Sequence, residues 1–206
     1  MLTRLRLENF KSWKDTGNIT FKPITGFFGT NSSGKTSLFQ ALLLMKQTVD
    51  SSDPGIVLNF GDEKTPVDLG DFESVVHQHD TERSIGLSLG WNSEIELPLL
   101  DTIGVGTRSS GGEIGFAAEI REEDIGSGKS PILHEMAYNV RERRFGIVRI
   151  AGHKAHDLFV HGAASDHSHR VRDDDRIVRS HKFHEFRYWP PEFLKDPSVM
   201  YSLQDA

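Results

Sequence analysis

The 206 residues suit one ordinary domain or a domain and a half, since domains cluster at about 100–150 residues, and hydrophobic side chains at 36% with 19 glycines exclude wholesale disorder. With 30 acidic residues against 24 basic ones the formal net charge is -6, a balance unsuited to coating nucleic acid or an anionic membrane except through a local basic patch. Cysteine is absent, which removes disulfides, thiol nucleophiles and thiolate-bound metal clusters and fits a reducing compartment.

The first residues, Leu2 to Leu7, alternate apolar and charged side chains, the period of a strand with one solvated face. Arg4 and Arg6 also fall where a secretion leader would carry its apolar run, so a cytoplasmic setting without a membrane span is expected. Lys11–Gly17 reads as a polar turn, Ile19–Phe21 as a short strand, and Ile24–Phe28, after Pro23, as a buried third strand. Gly29–Gly34 is loop. Lys35–Val49 lacks Gly and Pro and spaces Leu38, Ala41, Leu42 and Met45 for a helix, with Leu43 and Leu44 widening its apolar arc.

Ser51–Pro66 is loop-rich, and the segments Ser84–Trp91, Ser93–Leu99, Gly112–Ile120, Ile132–Val140, Arg144–Ile150 and His156–His161 then read as an antiparallel meander. Residues 165–206 read as a charged, loosely structured tail outside a domain covering 1–164.

Chemistry concentrates at Gly29-Thr-Asn-Ser-Ser-Gly-Lys35-Thr36, which satisfies G-x-x-x-x-G-K-[ST] in front of a helix. Glycine permits backbone conformations that let successive N–H groups converge on an anion. Gly34, Lys35, Thr36 and Ser37 supply those donors at a helix N-terminus that carries roughly half a positive charge. In this pattern the Lys35 ammonium neutralises terminal phosphates, the Thr36 hydroxyl enters a Mg²⁺ shell and Ser37 reaches the α-phosphate.

Asn31, with Ser32 and Ser33 between the glycines, makes the loop G-x-N-x-[SA]-G-K-[ST], and it follows Leu5-Arg-Leu-Glu-Asn-Phe-Lys-Ser-Trp13 and precedes Thr36-Ser-Leu-Phe-Gln-Ala-Leu-Leu-Leu44. These first fifty residues, with Val67-Asp-Leu-Gly-Asp-Phe72 further on, resemble the opening of bacterial AAA-family ATPases with an ABC-type head of the SMC, RecF and OLD kind. The resemblance implies an α/β P-loop NTPase fold: the N-terminal lobe, made of a P-loop strand–helix unit and an antiparallel β subdomain, with the second lobe incomplete. It also implies ATP and Mg²⁺ as ligands, with Lys11 and Ser12 beside the nucleotide, although Lys11 read by itself is equally a solvated turn lysine. Hydrolysis in such heads takes two nucleotides between two lobes, so the resemblance implies a homodimer or a partner chain supplying the missing lobe. DNA would be met through that assembly, in repair or antiviral defence.

The remaining catalytic parts of such a head are hard to place. Asp62-Glu63 after Ile56–Gly61 is a candidate Walker B end, but Asn59 and Gly61 interrupt the run and favour a turn. Ser109-Ser-Gly-Gly-Glu113 looks like a signature motif, yet Ile114–Ile120 after it reads as strand rather than helix. Gly126-Ser-Gly-Lys-Ser130 imitates half a P-loop and is read as a turn before Pro131. His153, His156, His161, His167, His169, His181 and His184, with nearby aspartates, fit no named metal spacing. The arginines from Arg141 to Arg179 are interleaved with acids, the pattern of a solvated face more than of a phosphate-binding stripe.

Overall fold

A computed structural model describes residues 1–53, 56–93, 112–126, 128–140, 143–149, 155–161 and 167–172. Strand β1 (Leu2–Phe10) turns into β2 (Trp13–Asp15) and is followed by β3 (Ile19–Thr20), helix α1 (Lys35–Asp50) and the short helix α2 (Phe72–Val75). A 3-10 turn at His77–His79 leads to β4 (Ile85–Ser93), β5 (Gly112–Asp124), β6 (Lys129–Val140), β7 (Arg143–Arg149), β8 (Ala155–His161) and β9 (His167–Arg172). All nine strands join one sheet in the order β2-β1-β4-β5-β6-β7-β8-β9, with β3 pairing along β1 beyond β2. Every pairing is antiparallel.

Period-two patterning builds this sheet and decides its inner face. Leu5 and Leu7 point inward while Arg4, Arg6 and Glu8 stay nearer solvent; Ile85, Leu87, Leu89 and Trp91 do the same on β4, and Ile114, Phe116, Ala118 and Ile120 on β5. Between Glu119 and Ile120 the partner residue jumps from Glu135 to Leu133, leaving His134 as the extra residue of a bulge. Helix α1 contributes Leu38, Ala41, Leu44 and Met45 to the same contiguous core.

The long loop after α1 is tied down by polar contacts in place of secondary structure. Gln47, buried in α1, donates from Nε2 to the Asn59 and Val67 carbonyls at 2.6 and 3.1 Å and accepts from the Val67 N–H at 3.2 Å. Thr48 Oγ1 accepts from the Asn59 N–H at 2.9 Å. These bonds satisfy backbone groups that a loop lying against a helix would otherwise bury unpaired.

Several expectations need correction. Ile24–Phe28 is not a buried strand: it is irregular, Ile24 is 93% exposed and Phe28 95% exposed. Only Phe27 turns inward, meeting Phe21 and Phe39 edge to face at 6.1 and 5.7 Å. A strand apolar on both faces needs hydrogen-bonded neighbours at its edges and a layer over each face, and none is present among the described residues. The strand expected ahead of the loop is thus not formed, while helix α1 and an antiparallel sheet are. Lys11–Gly17 contains a strand, β2, because Trp13 and Asp15 pair with Phe10 and Glu8. Within the segment 165–206, the described residues form β9, which pairs with β8. Residues 94–99, the signature-like 109–111 and most of the histidine-rich tail lie outside the described residues.

Candidate functional site

At its N-terminus α1 begins without the usual cap. Its cap residue is Gly34, left-handed at φ 88°, no side chain accepts from the first turn, and that turn contains no acidic residue. The first N–H groups of a helix have no partner within the helix and carry the positive end of its dipole. Here neither a carboxylate nor a hydroxyl answers them, an arrangement complementary to an anion supplied from outside.

The preceding loop folds over this end. The Ser33 N–H donates to the Thr30 carbonyl at 3.3 Å, Ser32 is left-handed at φ 62°, and the Ser37 N–H closes the first helical turn on the Gly34 carbonyl at 3.1 Å. Lys35 reaches back across the loop, its ammonium donating to the Gly29 and Thr30 carbonyls at 2.8 and 2.6 Å and to Ser33 Oγ at 3.3 Å. One cation therefore joins both arms of the loop beside the uncapped helix end. Gly29, Asn31, Ser32, Ser33 and Thr36 are exposed, Gly34 and Lys35 half-buried, and Ser37 buried. Among the described residues no group of three metal-ligating side chains forms.

The β1–β2 turn lies against the loop. Ser12 Oγ is 3.4 Å from Ser37 Oγ, and Trp13 Nε1 donates to the Gly34 carbonyl at 3.0 Å. Ser12 is next to the start of α1, and Lys11 adjoins it in the turn, left-handed at φ 49°. The segment 67–79 supports that turn from behind. Asp71 caps α2 by accepting the Ser74 N–H at 2.8 Å; hydrogen bonding from the Ser74 side chain, followed by that N–H, holds its carboxyl below the usual range. The Lys11 N–H donates to the Val75 carbonyl at 2.6 Å, and His77 Nδ1 lies 2.7 Å from the Lys11 carbonyl. Trp13 and His77 have no sequence signal as site residues, because their contacts join positions 21 and 66 residues apart.

Asp62-Glu63 sits in a turn, as the interrupted run suggests: Asp62 Oδ1 accepts the Lys64 N–H at 2.8 Å and the Asp62 N–H donates to Thr65 Oγ1 at 2.7 Å. Gly112 and Glu113 belong to β5 rather than to a helix start. Gly126 and Gly128 are left-handed in the β5–β6 connection, closed by the Ile125 N–H on the Gly128 carbonyl at 3.1 Å. A separate concavity of about 760 Å³ lies over the outer face of the sheet, lined in part by Glu8, Glu119, Arg121, Glu135 and Arg144. Its charges answer one another through Arg121–Glu119 and Arg144–Glu135.

No curated protein matches this chain. A family model described as an AAA ATPase domain matches residues 1–137, a stretch that holds the uncapped helix, its lysine-bridged loop and the supporting turn. The chain belongs to the AAA ATPase domain family.

Proposed function

We propose that Gly29–Ser37 is a Walker A loop that binds ATP with Mg²⁺ and that the chain is the N-terminal lobe of an ABC-type head. The observation that carries this reading is the N-terminus of α1, where a left-handed glycine cap, amides without a side-chain acceptor and no first-turn acid stand beside a lysine ammonium. In the bound state Lys35 exchanges loop carbonyls for phosphate oxygens, Thr36 contributes its hydroxyl to the metal shell, and the amides of Gly34–Ser37 hold the chain of phosphates. Lys11 and Ser12, at the turn beside the loop, approach the same phosphates. Hydrolysis requires a second lobe, supplied by a homodimer or a partner chain. The exposure of Ile24 and Phe28 next to the loop favours such a cover. DNA repair or antiviral defence is the setting that the resemblance suggests, with DNA met by the assembly.

A second reading is nucleotide binding without turnover by this chain alone. The engagement of Asp62 in its own turn favours it, because phosphoryl transfer needs a carboxylate free to orient metal and water. Phosphate release and ATP affinity, measured together on wild type and Lys35→Ala, separate the readings. Binding that weakens in the variant with turnover in wild type supports an autonomous ATPase; binding that weakens without turnover in either supports the lobe. Loss of the charge-assisted contact corresponds to about 1.5–3 kcal/mol, roughly ten- to a hundred-fold in affinity. Equal affinity in the two proteins contradicts both.

A further inference from the structure

The β1–β2 turn does more than lie near the loop, and Trp13 is its point of attachment. The Gly34 carbonyl accepts two hydrogen bonds, from the Ser37 N–H at 3.1 Å and from Trp13 Nε1 at 3.0 Å. A trans peptide is planar, so its C=O and the following N–H point in opposite directions. Holding the Gly34 oxygen from the Trp13 side therefore aims the Lys35 N–H away from the indole and into the loop. The fit is close: a Cβ on Gly34 would lie 2.5 Å from Ser12 Oγ, 2.7 Å from Trp13 Nε1 and 3.0 Å from Trp13 Cε2, and at φ +88° it would be strained in any case.

The turn is itself braced. Phe10 forms an isolated bridge with Val76, and Lys11 is held at both its N–H and its carbonyl, by Val75 and by His77. This chain of contacts runs from the 72–77 segment through Lys11 to Trp13 and ends on the peptide that caps α1. Ser33 and Lys35 fix the other side of the loop.

We infer that Trp13 is a positioning residue for phosphate binding: its indole N–H, by anchoring the Gly34 carbonyl, orients the Gly34–Lys35 peptide toward the anion. The inference rests on the nucleotide reading above, but it assigns a role to a residue outside the loop and concerns phosphate rather than the base. Trp13→Phe keeps an aromatic ring in the hairpin and removes only the donor. The expected result is a roughly tenfold weaker ATP affinity with an unchanged urea midpoint and far-ultraviolet circular dichroism, together with roughly tenfold faster amide exchange without nucleotide at Ser37, whose N–H shares the Gly34 carbonyl with the indole.

A second measurement needs no change at position 13. In a Trp189→Phe background, where Trp91 is buried in the core, tripolyphosphate and ATP are expected to shift indole emission and adenosine to leave it unchanged. Wild type that binds ATP while Trp13→Phe binds it equally well, with Ser37 exchange unaltered, overturns this assignment alone. Emission that answers adenosine as strongly as tripolyphosphate also overturns it, in favour of a base contact. Wild type that binds neither ATP nor tripolyphosphate overturns the nucleotide reading and takes this assignment with it.

Discussion

Arg6 and Asp15 show how single side chains register the hairpin that carries the site. Arg6 Nε and Nη2 donate to the two oxygens of Asp15 at 3.0 and 2.8 Å across the turn, the bidentate geometry that suits guanidinium and carboxylate. The Arg6 hydrogen bond, followed by the Gly17 N–H, holds the Asp15 carboxyl down to about 2. A depressed carboxyl contributes stability that is complete above its unfolded value near 4 and lost as the pH falls through its folded value. Acid titration of stability is therefore expected to show an Asp15 contribution between about pH 4 and about pH 2 that shrinks in Arg6→Ala, where only the Gly17 N–H remains, read by urea unfolding across that range. Because both groups are exposed, the effect is a change of slope, with little change at neutral pH.

The pattern G-x-x-x-x-G-K-[ST] is legible because the chemistry we propose for it is local: its glycine, lysine and threonine lie within one turn of a helix start. Trp13 is not, since its partner Gly34 comes from a different element and no spacing rule joins them. Ser12 is singled out only through resemblance; its hydroxyl lies 3.4 Å from Ser37 Oγ.

At the scale of elements, α1 follows its periodicity to within a residue, ending at Asp50 with Leu44 fully buried. Leu44→Ala is expected to destabilise by about 2–5 kcal/mol, measured as a lower urea midpoint, through lost burial and a residual cavity. The segment Ile24–Phe28 fails as a strand for a reason that lies outside its own residues. Its apolar run is real, but pairing is a property of neighbours. Replacing Ile24 or Phe28 by Ser in the isolated chain is expected to change unfolding free energy by no more than about 0.5 kcal/mol, as at other exposed positions. A loss of 2 kcal/mol or more would mean that these side chains are buried after all. The β2 strand escapes a sequence reading for a related reason: Trp13-Lys-Asp15 is too short and polar to announce itself, and only pairing with Phe10 and Glu8 makes it one.

For the whole molecule, alternation of apolar and polar residues was enough to read most of the antiparallel sheet, because each strand buries one face against a shared core. β9 is the exception: His167–Arg172 carries charge without clear alternation, and its pairing with β8 defines it. Among the described residues no helix is long and apolar enough to cross a membrane. The family membership fixes an AAA ATPase domain over residues 1–137, and within that span every contact that shapes the loop involves residues between Gly29 and Ser37 or the turn and segment bracing them. The antiparallel sheet and α1 thus carry the exposed loop that we propose as the anion site.

Backbone amide resonances followed during an ATP titration probe that cradle without assuming turnover or a partner. The largest shifts are expected at Gly34, Lys35, Thr36 and Ser37, saturating together and moving little in Lys35→Ala at the same nucleotide concentration. Saturating shifts centred on the outer face of the sheet, with these four amides unmoved, would contradict phosphate binding at the start of α1.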